Sequence, residues 1–262
     1  ATRGAVLLLH GFGQNRRTFS LSRRSFANYL AAAGFDVYAV DLRGHGRSRA
    51  FGASRPASLD EYIREDLPAA VREVLEISGE RRLFLIGHSL GGLIAYAGSP
   101  SMADRVRGIV TIGSPMHFGR GTFVLRLLAM LGHGLAQVPT FRGKNPVLPV
   151  RELGRQLARR RLFWDTRLNP FPVRGWHPGS VEPDILEEYL TEAFDRASLS
   201  VLLMMLRWAT HRHFQSEDGR IDYEERFANL NLPLLVLAGE HDRLAPPESC
   251  QPAYDRSQST DR

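Results

Sequence analysis

Short apolar runs alternate with amphipathic stretches over the first 115 residues, and the alternation predicts an α/β architecture. Val6-Leu7-Leu8-Leu9, Phe35-Asp36-Val37-Tyr38-Ala39-Val40, Leu83-Phe84-Leu85-Ile86 and Gly108-Ile109-Val110-Thr111-Ile112 are of strand length and nearly continuous in apolar character. Strands of that kind belong to a mostly parallel sheet flanked by helices on both faces. Residues 25–33 place Phe26, Tyr29, Leu30 and Ala33 at helical spacing, with Gly34 as the stop. Residues 59–77 repeat the pattern through Ile63, Leu67, Val71 and Val74, with Ser58 or Asp60 placed to cap the start and Gly79 to end it. A last strand is expected at Pro233-Leu234-Leu235-Val236-Leu237-Ala238, then a short helix around Pro252-Ala253-Tyr254.

Between Ile112 and Leu234 the alternation lapses for about 120 residues, far too long for a loop of a compact domain. Helical stretches at 123–130, 151–163, 183–194 and 198–208 fill the interval. The expected organisation is a core in two parts, residues 1–115 and 231–262, with a helical cap inserted at 116–230. A chain of 262 residues can bury one sizeable core of this type.

The candidate chemistry sits at the end of the third strand. Gly87-His88-Ser89-Leu90-Gly91-Gly92 separates that strand from the apolar helical run Leu93-Ile94-Ala95-Tyr96-Ala97. Strand, serine between glycines and helix form the pattern of a nucleophile elbow. A turn this sharp strains the serine backbone, and Gly87 and Gly91 leave room for the neighbouring turns. The helix opening there directs its N-terminal N–H groups toward the serine, where an oxyanion would form. The plainer alternative is a glycine-rich turn with an idle serine.

Composition adds little. The net charge of +6 suggests nucleic acid, yet of 34 basic residues only Lys144 is lysine, a uniformity better read as coding bias. No basic tail, zinc-finger spacing or RNA-binding motif accompanies the charge, so no nucleic-acid partner is expected. Residues 142–174 carry nine basic and two acidic side chains, and 182–195 six acidic and none basic. Two solvated helix faces that attract each other are the plain reading; contact of the basic stretch with anionic lipid at a membrane surface is the sharper one. Cys250, the single cysteine, excludes an internal disulfide. No apolar run approaches the roughly 18–20 residues that span a bilayer. No signal peptide is visible, which gives a cytoplasmic expectation. The chain opens at Ala1 and is strand-like by Ala5, so it reads as a piece of a longer chain.

Four motifs in order carry a family resemblance: His10-Gly11-Phe12-Gly13, Asp41-Leu42-Arg43-Gly44-His45-Gly46-Arg47-Ser48, Gly87-His88-Ser89-Leu90-Gly91-Gly92 and Gly239-Glu240-His241-Asp242. The chain outside the inserted segment resembles the α/β-hydrolases, in particular the lipase, esterase and lysophospholipase branch with a helical cap. The resemblance implies Ser89 as nucleophile, the backbone N–H groups of Leu90 and Phe12 as the oxyanion hole, and Asp242 as the acid that orients a catalytic histidine. For Asp242 a turn or helix-capping role is the alternative. The implied substrate is a small-molecule carboxylic ester with a hydrophobic acyl part. An acyltransferase, a thioesterase or a silent binding protein on the same scaffold are the alternatives. Serine disfavours a dehalogenase or epoxide hydrolase of this fold, which would need aspartate there.

The chain departs from the family in one respect. The family's histidine follows the acid, but none of the twenty residues after Asp242 is histidine. His10 is expected to fix the oxyanion loop, His88 to pack beneath the elbow, His45 to sit in a turn and His241 to point away. His117, His133, His177, His211 and His213 are expected as surface or packing residues of the cap. The economical expectation is that the final strand and its histidine lie beyond residue 262. No metal or cofactor is expected: His211 and His213 do not share a helical face, and Gly11-Phe12-Gly13 lacks the third glycine of a dinucleotide motif. The apolar residues of 123–131 and Leu202, Leu203, Met204, Met205, Leu206 and Trp208 could line an acyl site, although packing of the cap is the plainer role.

Overall fold

The computed structural model describes residues 2–117, 145–166, 175–211 and 213–262. Among the described residues there are seven strands: β1 (Ala5–Leu9), β2 (Asp36–Ala39), β3 (Leu83–His88), β4 (Val106–Ile112), β5 (Val147–Leu148), β6 (Ala197–Ser198) and β7 (Leu234–Leu237). Five make one parallel sheet in the order β2-β1-β3-β4-β7, while β5 and β6 pair antiparallel in a small ribbon.

The register opposes Leu7 to Leu85 and Ile86 to Val110. The two-residue period of a strand then sorts the side chains. Ala5, Leu7, Leu9, Leu83 and Leu85 enter the larger core with Leu67, Val71, Leu93, Ile94 and Tyr96 from the helices Leu67–Ser78 and Leu90–Gly98. Val6, Leu8, Phe84 and Ile86 face the other way and meet Phe19, Phe26, Ala27 and Leu30. Ser58 closes a capping box with Glu61, and Gly79 ends the following helix at φ 69°. The helix Phe26–Ala32 turns Phe26, Ala27 and Leu30 to the sheet, not the expected Tyr29, which is 70% exposed. Its first turn is set by Phe26 against Phe19, with ring centroids 6.5 Å apart.

Coverage of both sheet faces was expected throughout but fails at β7, where Leu235 and Leu237 are 51% and 44% exposed. Backbone hydrogen bonds fix the strand's two edges. Pro233 and Leu237 accept from Ile109 and Gly113 on the β4 side, whereas the Leu234 N–H points outward and donates to the Asp261 carbonyl at 2.9 Å.

In the interval after β4 the helices Val150–Arg159, Arg161–Trp164, Pro183–Glu188 and Leu199–His211 are present, the third continuing as a wide turn over Tyr189–Ala193. The apolar stretch at 123–131 lies outside the described residues. Val201, Met204, Met205 and Trp208 join the larger core, and the Trp208 ring lies 4.5 Å from Phe214. For these residues packing onto the core is what the contacts support. The acidic stretch is partnered by arginines of the first 50 residues: Glu182 with Arg24, Asp184 with Arg23, Glu188 with Arg17, and Asp195 with Arg49.

Candidate active site

Phe12, Asp41, Ser89 and Asp242 follow β1, β2, β3 and β7, at the carboxyl ends of the strands, where ligands bind in open α/β sheets. Ser89 follows β3 with φ 51° and ψ −114°, and among the described residues it is the one non-glycine at positive φ. The Ser89 N–H donates to the Ile112 carbonyl at 2.9 Å, and its own carbonyl accepts from Gly92 and Leu93. The serine thereby caps the helix Leu90–Gly98 while held to the end of β4.

The three glycines around it are required by close approach. A Cβ on Gly87 would lie 2.3 Å from the Gly92 nitrogen, one on Gly91 2.1 Å from the Leu9 carbonyl oxygen, and one on Gly92 2.0 Å from the Ser114 hydroxyl oxygen. The first turn of the helix therefore sits on the ends of β1 and β4. Leu90 opens that helix, where an N–H has no intrahelical acceptor. Because Gly91 abuts Leu9 and His10, the loop carrying Phe12 starts beside the same helix turn.

His10 holds that loop, as expected of it. The imidazole is fully buried; its Nε2 accepts from the Leu42 N–H at 3.1 Å, so the proton is on Nδ1, donating to the Gly11 carbonyl at 2.9 Å. Burial, then repulsion from His45, lowers its pKa to about 3, which keeps the ring neutral. His45 is buried and lowered in the same direction by desolvation, with its Nδ1 on the Arg43 carbonyl at 3.1 Å. His88 is likewise lowered by burial, opposed by the nearby charge of Asp242.

Asp242 follows β7. Its Oδ1 accepts from the Leu244 and Ala245 N–H groups at 2.8 and 2.9 Å, so one oxygen performs the turn role that the sequence left open. Oδ2 faces Gly113, where a Cβ would be 3.3 Å away. The carboxylate lines a cavity of about 410 Å³ with Trp176, His177 and His241. The His177 and His241 rings stack at 4.9 Å, so His241 turns to the inserted segment.

The remaining histidines are engaged elsewhere. His117 Nε2 is 2.8 Å from the Glu224 carboxylate, which Arg256 also contacts at 2.7 Å. Burial alone would raise the Glu224 pKa; the His117 hydrogen bond and the charges of His117, Arg256 and His213 outweigh it and lower the value. His133 and the side chain of His211 lie outside the description. Among the described residues no histidine hydrogen-bonds Ser89 or Asp242, and no cluster of three His, Cys, Asp or Glu could hold a metal ion.

Sequence reasoning missed Gln14, which is buried in the loop after Phe12. Its Oε1 accepts from the Gly11 N–H at 3.0 Å and lies 3.0 Å from His88 Nδ1, and its amide nitrogen donates to the Tyr189 hydroxyl. The partners of Asp41 and Asp195 were not legible in the sequence either. Asp41 takes the Arg16 guanidinium and the backbone N–H groups of Arg16 and Arg47, and Asp195 takes the Gly46 N–H and Arg49. Polar residues in loops have too many local explanations for spacing to reveal partners 150 residues away.

Comparison with known proteins gives the chain's family. The family model of the alpha/beta hydrolase fold matches residues 4–257, and the chain belongs to that family. It is 35% identical over 119 residues to lipase member K of Mus musculus, a match covering 41% of this chain and 30% of that protein. Epoxide hydrolase 3 of Xenopus tropicalis is 30% identical over 110 residues, 42% of this chain and 27% of its own length. The matched stretch is thus under a third of the length of these curated relatives. Among solved structures, the monoacylglycerol lipase of Paleococcus ferrophilus aligns with a TM-score of 0.63 at 23% identity, over 99% of this chain and 82% of that one. A soluble variant of monoglyceride lipase from Saccharomyces cerevisiae gives a TM-score of 0.60 at 18% identity, over 99% and 75%. These likenesses carry the fold.

Proposed function

We propose that this chain provides the nucleophile, oxyanion hole and acid of a serine hydrolase that cleaves carboxylic esters with a hydrophobic acyl part. The observation that carries the reading is the Ser89 backbone at φ 51°, held at the mouth of a helix whose first turn rests on the ends of β1 and β4. Strain of this kind persists only where the surroundings impose it, and presenting the hydroxyl is the role we assign to it. Ser89 attacks the carbonyl carbon, and the Leu90 and Phe12 N–H groups receive the oxyanion. Asp242 offers Oδ2 to a histidine. A serine at this position sets the chain apart from an aspartate-dependent epoxide hydrolase, despite the similarity to such enzymes.

The base is proposed to lie outside residues 1–262, on a segment added to the outer edge of β7. In support, that edge is already engaged once by the Asp261 carbonyl, and Asp242 borders an open cavity. Residues 116–230 are read as the cap, with the helix Leu199–His211 anchoring it. The exposed Arg155, Arg159 and Arg160, with the exposed apolar Leu153 and Phe163 nearby, support peripheral contact of the cap with anionic lipid. No helix among the described residues is long and apolar enough to cross a membrane; a cytoplasmic location is part of this proposal.

A silent binding scaffold is the second reading, favoured by the engagement of every described histidine side chain other than His213 away from Ser89. Fluorophosphonate labelling of the full-length protein decides between them. Labelling that disappears in Ser89→Ala is the expected result, and labelling that persists in that variant removes the assignment. Flotation with phosphatidylglycerol vesicles that equals flotation with neutral vesicles removes the lipid contact.

A further inference from the structure

We propose that Gln14 is a positioning residue through which the cap is built into the oxyanion hole, an inference that rests on the Ser89 hydrolase reading. Gln14 stands two residues after Phe12, and its side chain meets three different parts of the protein. Its Oε1 takes the Gly11 N–H at 3.0 Å and meets the ring of His88, the neighbour of Ser89, also at 3.0 Å. A backbone N–H can only donate, so the amide orientation is fixed by Gly11, and the Nε2 side is left to donate to Tyr189.

The site is shaped for this amide. A Cβ on Gly11 would fall 2.7 Å from Gln14 Oε1 and 2.9 Å from His88 Nδ1, so the glycine is what admits the contact. Gln14 is 6% exposed, and a buried amide left without partners would cost more than its bonds contribute. The backbone repeats the connection: Gln14 bridges Phe194, the Asn15 N–H donates to the Ala193 carbonyl at 2.9 Å, and the Asp195 N–H donates to Gly13 at 2.7 Å. Residues 11–15 thus lie between the Ser89 turn on one side and residues 189–195 on the other. The Phe12 N–H depends on a loop whose conformation both sides determine. Tyr189 therefore affects the hydrolysis step from outside the site, by orienting Gln14.

The test measures hydrolysis of p-nitrophenyl butyrate and affinity for an aryl trifluoromethyl ketone in the full-length protein. Gln14→Leu, similar in size but without polar atoms, is expected to lower kcat about tenfold or more with KM nearly unchanged, and to weaken ketone binding by a similar factor. Gln14→Glu keeps an acceptor for Gly11 and His88 and should restore kcat to within about threefold of wild type. Tyr189→Phe removes one oxygen and keeps the ring, and should lower kcat about two- to fivefold without changing KM. Wild-type kcat and ketone affinity in Gln14→Leu overturn the proposal. So does a loss shared equally by stability and KM that Gln14→Glu does not rescue. Failure of the hydrolase reading itself is seen separately, as hydrolysis that survives Ser89→Ala.

Discussion

On the Ser89 side of the sheet edge His10 and Gln14 are buried and bonded at both ends: His10 uses both ring nitrogens, Gln14 both ends of its amide, and three glycines allow backbone to touch backbone. On the Asp242 side the carboxylate is half-buried, one oxygen bound to the backbone and the other facing Gly113 beside an open cavity. Oxyanion donors act only when fixed in advance, because reorganising dipoles during the reaction cancels their benefit. An acid that serves a histidine needs an open oxygen and space beside it. Rigidity and openness in this molecule follow the chemistry proposed for each side.

The comparison can be broken at several points. Ser89→Ala should abolish turnover, a loss of about 10⁶ in kcat by analogy with serine-protease knockouts, read as loss of hydrolysis and of fluorophosphonate labelling. Asp242→Asn should cost about 10⁴ in kcat while leaving thermal stability near wild type, since the amide oxygen still accepts from Leu244 and Ala245. An equal loss of stability would mean that the turn role is the whole role. Gly91→Ala pits a methyl against the Leu9 carbonyl and should destabilise by about 3 kcal/mol in urea titration; a neutral result would show that the two sides are equally pliable.

Acid titration sharpens the contrast further. His10 is held neutral with its pKa lowered from 6.5 to about 3, so the unfolded chain binds its proton first. Its contribution is complete above pH 6.5 and is lost progressively as pH falls toward about 3. Glu224 is lowered too, so its contribution is present above its ordinary value of 4.5 and is lost as pH falls below it. His10→Gln should flatten the upper part of the stability profile and Glu224→Gln only the lower part. The smallest effect is expected at the surface: Glu182→Gln, opposite the exposed Arg24, should leave the melting temperature unchanged.

Much of the fold could be read from the chain because its strands are apolar on both faces and its glycines mark turns. Ser58, Gly79 and the Ser89 motif announce local geometry, and local geometry is what sequence spacing encodes. The exposure of Leu235 and Leu237 has no signature in the sequence, because an apolar strand gives no sign of whether anything covers its second face. Tyr29 was misplaced for a related reason, since a short helix with apolar residues on two sides has no unique inward face. Gln14, Tyr189 and Asp195 were invisible because their partners are distant in sequence. Acidic residues 182–195 announced attraction to arginine but not which arginines, and those found lie in the first 50 residues.

The strand Leu234–Leu237 has a bearing on handling as well as on catalysis. It carries four aliphatic residues and no charge, and two of them face solvent. Natural sheets blunt such a border with lysine, proline or a bulge, because bare amide groups beside apolar side chains recruit strands from other molecules. Here a single bond to Asp261 guards one end of it. A chain lacking the segment proposed for this edge should therefore self-associate more than one that carries it, a difference that light scattering reads.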